Sequence, residues 1–274
     1  MVTPQCARRS GRVGALMATI ARAIGLGFLA ASFGASPALA ADAAAIPVTT
    51  ELERAVAQRS QRVNFGQESA SAQVRHVADW VLDSGDNLGM PFVLIDKANA
   101  KVFVFHADGR LRGAAAALLG LALGDDSVPG IGQRKLSSIR PDERTTPAGR
   151  FVAALDRNLH GGEILWVDYD TAISLHPVIT SNAKERRAQR LATPTPLDNR
   201  VSYGCINVPV EFFKNVVGAA FTGTNGVVYV LPETRSAQQV FASYDVDERA
   251  QLRAAQQDSA APTDFQSDAN PAAK

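Results

Sequence analysis

Short apolar runs separated by turn residues fill the middle of the chain, and they restrict its fold more than any other feature. The runs Phe92–Ile95 and Lys101–Phe105 flank the turn-like segment Asp96–Asn99. Two such runs with so short a connection are typical of a β-hairpin. Runs of the same character lie at 150–155, 164–167, 172–175 and 226–231. The pattern predicts a mainly β fold with short helices.

The first 40 residues have the three parts of an export signal. Arg8, Arg9 and Arg12 precede an apolar stretch, and Ala38-Leu39-Ala40 fits a cleavage site. The uninterrupted apolar run inside this stretch is too short to span a bilayer, which disfavours a membrane anchor. We therefore predict a cleaved signal peptide at 1–40. The protein would be exported, periplasmic or cell-wall-associated, with no stable membrane span after cleavage.

Removal of this leader would change both the charge and the cysteine content. The formal net charge of +1 would become −3, because residues 1–40 carry four Arg and no acidic residue. Neither value is the basic footprint of a nucleic-acid-binding protein. Cys6 would also be lost, leaving Cys205 as the only cysteine. A leftover cysteine in an exported protein is either reactive or linked to another molecule, although buried, inert cysteines are also common.

Helical signals lie on both sides of the strands. Helical spacing of apolar residues predicts a helix within 67–83, and a short helix is expected at 209–217, with Asn207 as a candidate cap. Segment 113–123 fits either a strand or a helix. The polar composition of 255–274 indicates disorder. The predicted divisions are a signal peptide at 1–40, a helical or linker extension at 41–88, the main domain at 89–234, and a largely disordered tail at 235–274.

The strongest chemical signal is the segment Ser202-Tyr203-Gly204-Cys205-Ile206-Asn207. A glycine directly before a cysteine permits a tight turn that can aim consecutive N–H groups at one point, as an oxyanion hole requires. The predicted helix just beyond Cys205 would favour its thiolate. A thiolate also needs a base, and His176 follows the strand candidate 172–175. A lone histidine is more often structural than catalytic, so spacing alone leaves this assignment open.

These residues resemble the YkuD-type L,D-transpeptidase catalytic domain, whose signature is a His, a spacer, then Ser/Thr-His-Gly-Cys-x-Asn/Arg. Thr146-Pro147-Ala148-Gly149-Arg150-Phe151 is similar to the Thr-Pro-x-Gly-x-Phe segment of that family. The opening hairpin resembles its first strands, so the resemblance covers about residues 90–232. The order of the three motifs makes it more specific than the cysteine motif alone.

The resemblance implies a β-sandwich catalytic domain at 89–234 and a cysteine acyltransferase without cofactor or metal. It assigns Cys205 as the nucleophile and His176 as the base, with the main-chain carbonyl of Pro177 orienting the imidazole. It also assigns an oxyanion hole to backbone N–H groups and substrate binding to polar side chains. The N–H groups are those of Tyr203, Gly204 and Cys205, and the side chains are those of Ser202, Asn207 and Arg200.

Two features depart from the family pattern. Tyr203 stands where the family usually has His, and tyrosine cannot act as a base near neutral pH. The 29 positions from His176 to Cys205 exceed the usual spacer. The additional residues include the basic run Lys184–Arg190 and the Pro-containing segment Thr193–Pro196. They predict a basic helix with a stiff return, which is either a lid over the site or a solvated helix without a role.

The implied substrate is a peptidoglycan stem peptide. The acyl acceptor would be an amine of a second stem peptide or of an amine-bearing wall protein, and water as acceptor would make the same site an L,D-carboxypeptidase. A catalytically silent wall-binding module is an alternative of another class. A papain-like protease fits less well, because its pattern around the cysteine is absent.

Overall fold

The computed structural model describes residues 62–260, and the predicted signal peptide lies outside them. The described part is mainly β, as the apolar runs predict, and its helices are mostly short. All the predicted strands are present, and segment 113–123 contributes strands rather than a helix. The strands are β1 Phe92–Asp96, β2 Lys101–Phe105, β3 Leu111–Ala116, β4 Leu119–Gly120, β5 Gly149–Arg157, β6 Glu163–Asp168, β7 Ile173–Pro177, β8 Arg200–Ser202, β9 Ile206–Val208 and β10 Gly226–Val230.

Helices lie before, between and after these strands. Those between β7 and β8 form the predicted basic insert, a 3-10 turn at Ala183–Glu185 followed by α2. Three consecutive helical segments between β9 and β10 include a π-helical stretch at Phe213–Gly218. The α-helices are α1 Ala72–Ser84, α2 Arg187–Ala192, α3 Val210–Phe212, α4 Ala219–Phe221, α5 Ala237–Phe241 and α6 Val246–Ala260. Short 3-10 turns at Ile131–Gln133, Leu136–Ser138 and Pro141–Glu143 lie between β4 and β5.

Eight strands form one sheet in the order β3-β2-β1-β10-β5-β6-β7-β9, and β4 pairs separately with β8. The predicted hairpin is antiparallel, with Phe92 opposite Phe105. The helical segment between β9 and β10 packs into the main core through Phe213 and Val217. Neighbouring Val216 lies against Gly113 of β3 at one end of the sheet, and the segment also packs on β7 near the other end. The sheet therefore curves around this segment, as in a sandwich- or barrel-like fold.

Two apolar cores lie on opposite faces of the central strands. On β1, Val93 and Ile95 enter the main core, while Phe92 and Leu94 enter a second core beneath α1. Side chains of a strand alternate between the faces of a sheet, so a strand covered on both faces is apolar throughout. This explains why β1 and β10 appear in the sequence as unbroken apolar runs.

The second core corrects two predicted boundaries. Ala237 and Phe241 of α5 are buried beyond residue 234, and the Phe241 ring stacks on Trp80 of α1 at a centroid distance of 6.3 Å. The prediction of a largely disordered tail is therefore wrong for 235–260, while 261–274 lie outside the described residues. On the other side, α1 and Phe65 pack on the sheet, so 62–88 belong to the same folded unit as the strands.

The helix after Cys205 also begins later than predicted. Asn207 lies in β9, and Pro209 occupies the N-cap position of α3. Pairing with β7 takes the backbone of Asn207 into the sheet, so this residue does not cap the helix. Since β9 separates Cys205 from α3, the expected dipole effect on the thiolate loses its basis. Within 62–260, no helix is both long and apolar enough to cross a membrane.

Candidate active site

Strand β7 brings a polar pair to one face of the sheet. Ile173 and Leu175 point into the main core, so the alternating residues Ser174 and His176 point to the opposite face. Both are buried. His176 was expected just beyond a strand that ends at residue 175, but the strand continues through Pro177. The imidazole is therefore carried by a paired strand instead of a loop.

Strand β9 runs parallel to β7 and places the cysteine motif beside this pair. Leu175 lies opposite Ile206 and His176 lies opposite Asn207. Partners in register share a face, so Asn207 lies on the same face as His176, and Cys205 precedes β9 near Ser174. The Ser174 hydroxyl donates to Cys205 Sγ at 3.7 Å. The register thus places the segment that carries Cys205 beside the strand that carries His176.

The side chain of Asn207 connects the two halves of the site. Its amide nitrogen lies 3.4 Å from His176 Nε2 and donates to the Cys205 carbonyl at 3.2 Å. The side chain is fully buried, so these contacts replace hydrogen bonds to water. The Asn207 side chain therefore bridges the His176 ring and the backbone of Cys205.

The protonation of His176 follows from its surroundings. Nδ1 lies 2.8 Å from the Pro177 carbonyl oxygen, which can only accept a hydrogen bond, so Nδ1 carries the proton. Burial lowers the pKa of His176 to about 4, the Pro177 carbonyl opposes this shift, and the positive charge of Arg187 adds to it. The ring is therefore neutral at physiological pH, and Nε2 presents its lone pair on the side of Asn207.

A turn that only glycine can form holds Cys205. Gly204 has a φ of +130°, and a Cβ there would lie 2.8 Å from the Thr145 carbonyl oxygen, so glycine is required. The Gly204 N–H donates to the Ser202 hydroxyl oxygen at 3.0 Å, and that hydroxyl donates to the Cys205 carbonyl at 2.6 Å. Ser202 thus acts inside the loop in this structure. Of the three N–H groups assigned to an oxyanion hole, that of Gly204 is engaged within the turn.

Thr146, the first residue of the Thr-Pro-x-Gly-x-Phe segment, holds this turn through hydrogen bonds. The Thr146 hydroxyl donates to the Gly204 carbonyl at 2.7 Å and accepts from the Gly120 N–H at 2.9 Å. Thr146 is fully buried, so neither bond competes with water. The sequence alone gave no role to Thr146 beyond its place in the motif.

A buried group of charges holds the same region. We call Lys97, Asp125, Arg200 and Glu233 the charged cluster. Lys97 Nζ donates to Asp125 at 2.8 Å and to the Thr146 carbonyl at 3.0 Å, and Arg200 forms an ion pair with Glu233. Arg200 was expected to bind substrate, but the structure places its guanidinium in this cluster. Sequence reasoning missed the cluster, because its members are far apart in the chain and Lys97 was assigned only to a turn.

The surroundings of Asp125 keep it ionised. Burial alone would raise the pKa of its carboxyl, but hydrogen bonds from Lys97, Thr234 and the Glu233 N–H hold that pKa well below its usual range. Burial lowers the pKa of Lys97, and its contacts with Asp125 and Glu233 oppose that shift. The cluster is therefore an internal salt bridge network beneath the cysteine turn.

The basic insert reaches the site through one residue. Arg187 Nη1 donates to Asn207 Oδ1 at 2.6 Å, and its Nε pairs with Glu185. The side chain of Arg187 is only 12% exposed, whereas Lys184 and Arg186 are exposed. The insert is therefore more than a solvated helix. In the sequence, only its basic composition indicated that a residue of the insert could contact the site.

Tyr203 lies at the edge of the turn. The guanidinium of Arg144 stacks over its ring at 3.9 Å from the centroid, and Arg144 in turn donates to the Ile139 carbonyl. Tyr203 is partly exposed, so it borders the buried residues of the site. The ring of Tyr203 therefore packs against a cation, and it does not supply a second base.

The sulfur of Cys205 has further partners. Besides Ser174 it lies 3.8 Å from the Ala172 carbonyl oxygen, and only 8% of the residue is exposed. Cys205 is disulfide-bonded in this structure, and the one other cysteine in the sequence, Cys6, lies outside the described residues. Among residues 62–260, no group of three or more His, Cys, Asp or Glu side chains could hold a metal ion.

Comparison with known proteins finds similarity in solved structures only. No family and no curated protein matches the sequence. The helical cell shape determining protein Pgp2 from Campylobacter jejuni is 16% identical over 59% of this chain and 52% of its own, with a TM-score of 0.37. An L,D-transpeptidase from Xylanimonas cellulosilytica is 16% identical over 52% of this chain and 60% of its own, with a TM-score of 0.31.

The catalytic domain of an L,D-transpeptidase from E. faecium is 20% identical over 51% of this chain and 95% of its own, with a TM-score of 0.29. The chain spans between half and three fifths of the length of the first structures that it matches.

Proposed function

We propose that the protein is a cysteine-dependent L,D-transpeptidase that is exported and acts on peptidoglycan stem peptides. The observation that carries the proposal is the placement of Cys205 beside Ser174 and of Asn207 opposite His176, on one face of neighbouring parallel strands. Acyl transfer through a cysteine needs a nucleophile and a base, and Cys205 and the buried, neutral His176 are the candidates for these roles. The motif resemblance supplies the substrate class.

The reaction would begin with attack on the peptide carbonyl that precedes a terminal D-residue. The Cys205 sulfur forms a C–S bond while the C–N bond of that peptide breaks, and the thiol proton passes through His176 Nε2 to the departing amine. The product is a thioester, and D-alanine is the expected leaving group. The Ser174 hydroxyl beside the sulfur would stabilise its negative charge during this step.

The second half of the reaction reverses the first with another nucleophile. An amine from a second stem peptide or a wall protein loses a proton to His176 and displaces Cys205 from the thioester. Water in that position would give carboxypeptidase activity. The N–H groups of Tyr203 and Cys205 are the proposed oxyanion donors, since that of Gly204 is engaged by Ser202. Substrate contacts at Ser202, Asn207 and Arg200 stay predictions.

Export bears directly on the state of the nucleophile. Thiols are kept reduced in the cytosol. Removal of residues 1–40 during export would separate Cys6 from the chain before the mature protein is exposed to an oxidising compartment. The exported chain would then carry Cys205 without Cys6. The processed protein should begin near Ala41, and N-terminal sequencing that finds Met1 on the exported protein would contradict this step.

The proposal is tested by intact-mass analysis of the processed protein, kept under a reducing agent and incubated with a purified stem tetrapeptide. We expect a covalent adduct equal to the peptide minus its terminal D-alanine, and no adduct on Cys205→Ala. A carbapenem-type acylating probe should label the same residue. With a second stem peptide present, a cross-linked product indicates transpeptidation, whereas tripeptide and D-alanine alone indicate the carboxypeptidase.

Binding of stem peptides without any adduct from peptide or probe would overturn the enzymatic proposal and favour a wall-binding module. Ser181→Ala is a matched control, because Ser181 is exposed on the insert, outside the contacts described for the site. It should form the adduct at the rate of the unchanged protein.

A further inference from the structure

Arg187 enters the site through a backbone geometry that is itself costly. The residue before it, Arg186, has a φ of +50°, a left-handed conformation that a side-chain-bearing residue adopts at a cost of about 1–2 kcal/mol. This turn joins the 3-10 segment Ala183–Glu185 to α2. It allows Glu185 and Arg187 to pair with each other while Arg187 reaches Asn207. Local strain of this kind persists where surrounding contacts maintain it.

The donors and acceptors around Asn207 permit a single assignment of its amide. A guanidinium has only donors, so the atom that Arg187 contacts must be the amide oxygen. The amide NH₂ then faces the other way, toward the Cys205 carbonyl and His176 Nε2. On the far side of the ring, Pro177 can only accept. One chain of hydrogen bonds thus passes through the imidazole, with a pure donor, Arg187, at one end and a pure acceptor, the Pro177 carbonyl, at the other. These two ends set the donor and acceptor directions along the chain.

We propose that Arg187 is a positioning residue of the active site, which orients the Asn207 amide and so holds His176 in the tautomer with the proton on Nδ1 and the lone pair on Nε2. The consequence for activity rests on the proposed function, but the effect on the ring does not. The insert therefore contributes Arg187 to the site, and Arg187 acts on Asn207 rather than on the substrate.

A second consequence concerns charge. The guanidinium disfavours protonation of the nearby imidazole, which is one of the causes that lower the pKa of His176. Loss of this charge should raise that pKa. Loss of the hydrogen bond to Asn207 should let the amide turn over, which would present the amide oxygen to Nε2 and favour the tautomer with the proton on that nitrogen.

The test is nitrogen NMR of the His176 ring, with ¹⁵N-labelled histidine in the processed protein, and with His176→Gln to assign its signals. In Arg187→Met we expect a mixture of tautomers and a raised pKa of His176, since a nearby positive charge disfavours the protonated ring. Arg187→Lys keeps the charge, so it should keep the low pKa while losing part of the tautomer preference. Lys184→Met removes one exposed charge from the same insert and should change neither.

Kinetics provide the second measurement. In Arg187→Met we expect kcat to fall about tenfold with little change in KM, and the acid limb of the kcat/KM profile to move upward with the ring pKa. If Arg187→Met does not fold, Glu185→Gln loosens the same guanidinium and should move both measurements in the same direction by less.

An unchanged tautomer and titration of His176 in the folded variants would overturn the inference, whatever the activity. A ring that responds as expected in a protein that never forms an acyl adduct would instead contradict the proposed function and leave the positioning role in place.

Discussion

Two buried polar clusters lie close together in this protein, and they differ in the charge states of their members. In the charged cluster, Lys97 and Asp125 are fully buried and meet at 2.8 Å, and Arg200 meets Glu233. In the second cluster, the buried imidazole of His176 contacts a carbonyl oxygen and an amide. We call this second group, with Cys205 and Asn207, the candidate catalytic cluster.

The difference in partners sets the difference in charge state. Opposite charges at hydrogen-bond distance keep one another ionised, so the charged cluster fixes segments of chain in place. A buried base without a carboxylate partner is held neutral, as the lowered pKa of His176 shows. A neutral base can accept a proton, whereas an ion pair stabilises the charged forms of both partners and so disfavours proton transfer. The two clusters meet at Thr146, whose carbonyl accepts from Lys97 and whose hydroxyl donates to Gly204.

The largest expected effect is on activity in the candidate catalytic cluster. His176→Ala and Cys205→Ala should each lower turnover on the order of 10³-fold or more, since both remove a group that makes or breaks a bond. The double variant should lose little beyond either one, because members of one catalytic unit are not additive. Thermal unfolding should shift little for Cys205→Ala. Near-normal acylation by His176→Ala would refute the pairing and direct attention to another histidine.

The next largest effect is on stability in the charged cluster. Lys97→Met leaves Asp125 buried without its nearest cation, and we expect the free energy of unfolding to fall by about 3–5 kcal/mol. Lys101→Met is the matched control, because its ion pair with Glu68 is partly exposed and should contribute less than about 1 kcal/mol. Denaturant unfolding measures both. Equal losses in the two variants would contradict the greater contribution of the buried ion pair.

A smaller effect is expected in the pH dependence of stability. The pKa of His176 lies near 4 in the folded state and near 6.5 when the chain is unfolded. The unfolded state therefore binds the proton first, and stability falls as pH drops from about 6.5 toward 4, by up to roughly 3 kcal/mol at about 1.4 kcal/mol per pKa unit. In His176→Gln this loss should disappear, while His106→Gln, outside the site, should keep it. A loss of equal size in His176→Gln would show that another group titrates.

The smallest expected effect concerns Tyr203. Tyr203→His restores the residue usual in the family and should preserve turnover, because the proposed base is His176. It gives up the ring that Arg144 covers, so the free energy of unfolding should fall by about 0.5–1 kcal/mol. Tyr203→Phe keeps an aromatic ring and should retain most of that stability. A large loss of turnover in both variants would assign the tyrosine hydroxyl a chemical role.

The sequence by itself determined the mainly β fold and its strands, because alternation, turn residues and chain length limit what an apolar run can form. Through the family resemblance that they carry, the motifs also made Cys205 and His176 the candidate nucleophile and base. The strand predictions succeed because they depend on neighbours in the chain, whereas the roles of Cys205 and His176 stay predictions. The same local reasoning failed at Asn207, which is near a helix start in sequence but is paired to β7 in space.

Only the tertiary structure decided how distant residues act on one another. The parallel register of β7 and β9 placed Asn207 against His176, and the insert brought Arg187 to the side chain of Asn207. Lys97 and Asp125 are separated by 28 positions, and no spacing rule predicts that they share a buried site. The tail helix α5 is ordered because Trp80 and Tyr229 provide an apolar surface for Phe241. Burial, charge pairing and strand register are properties of the assembled fold, so local sequence patterns could not supply them.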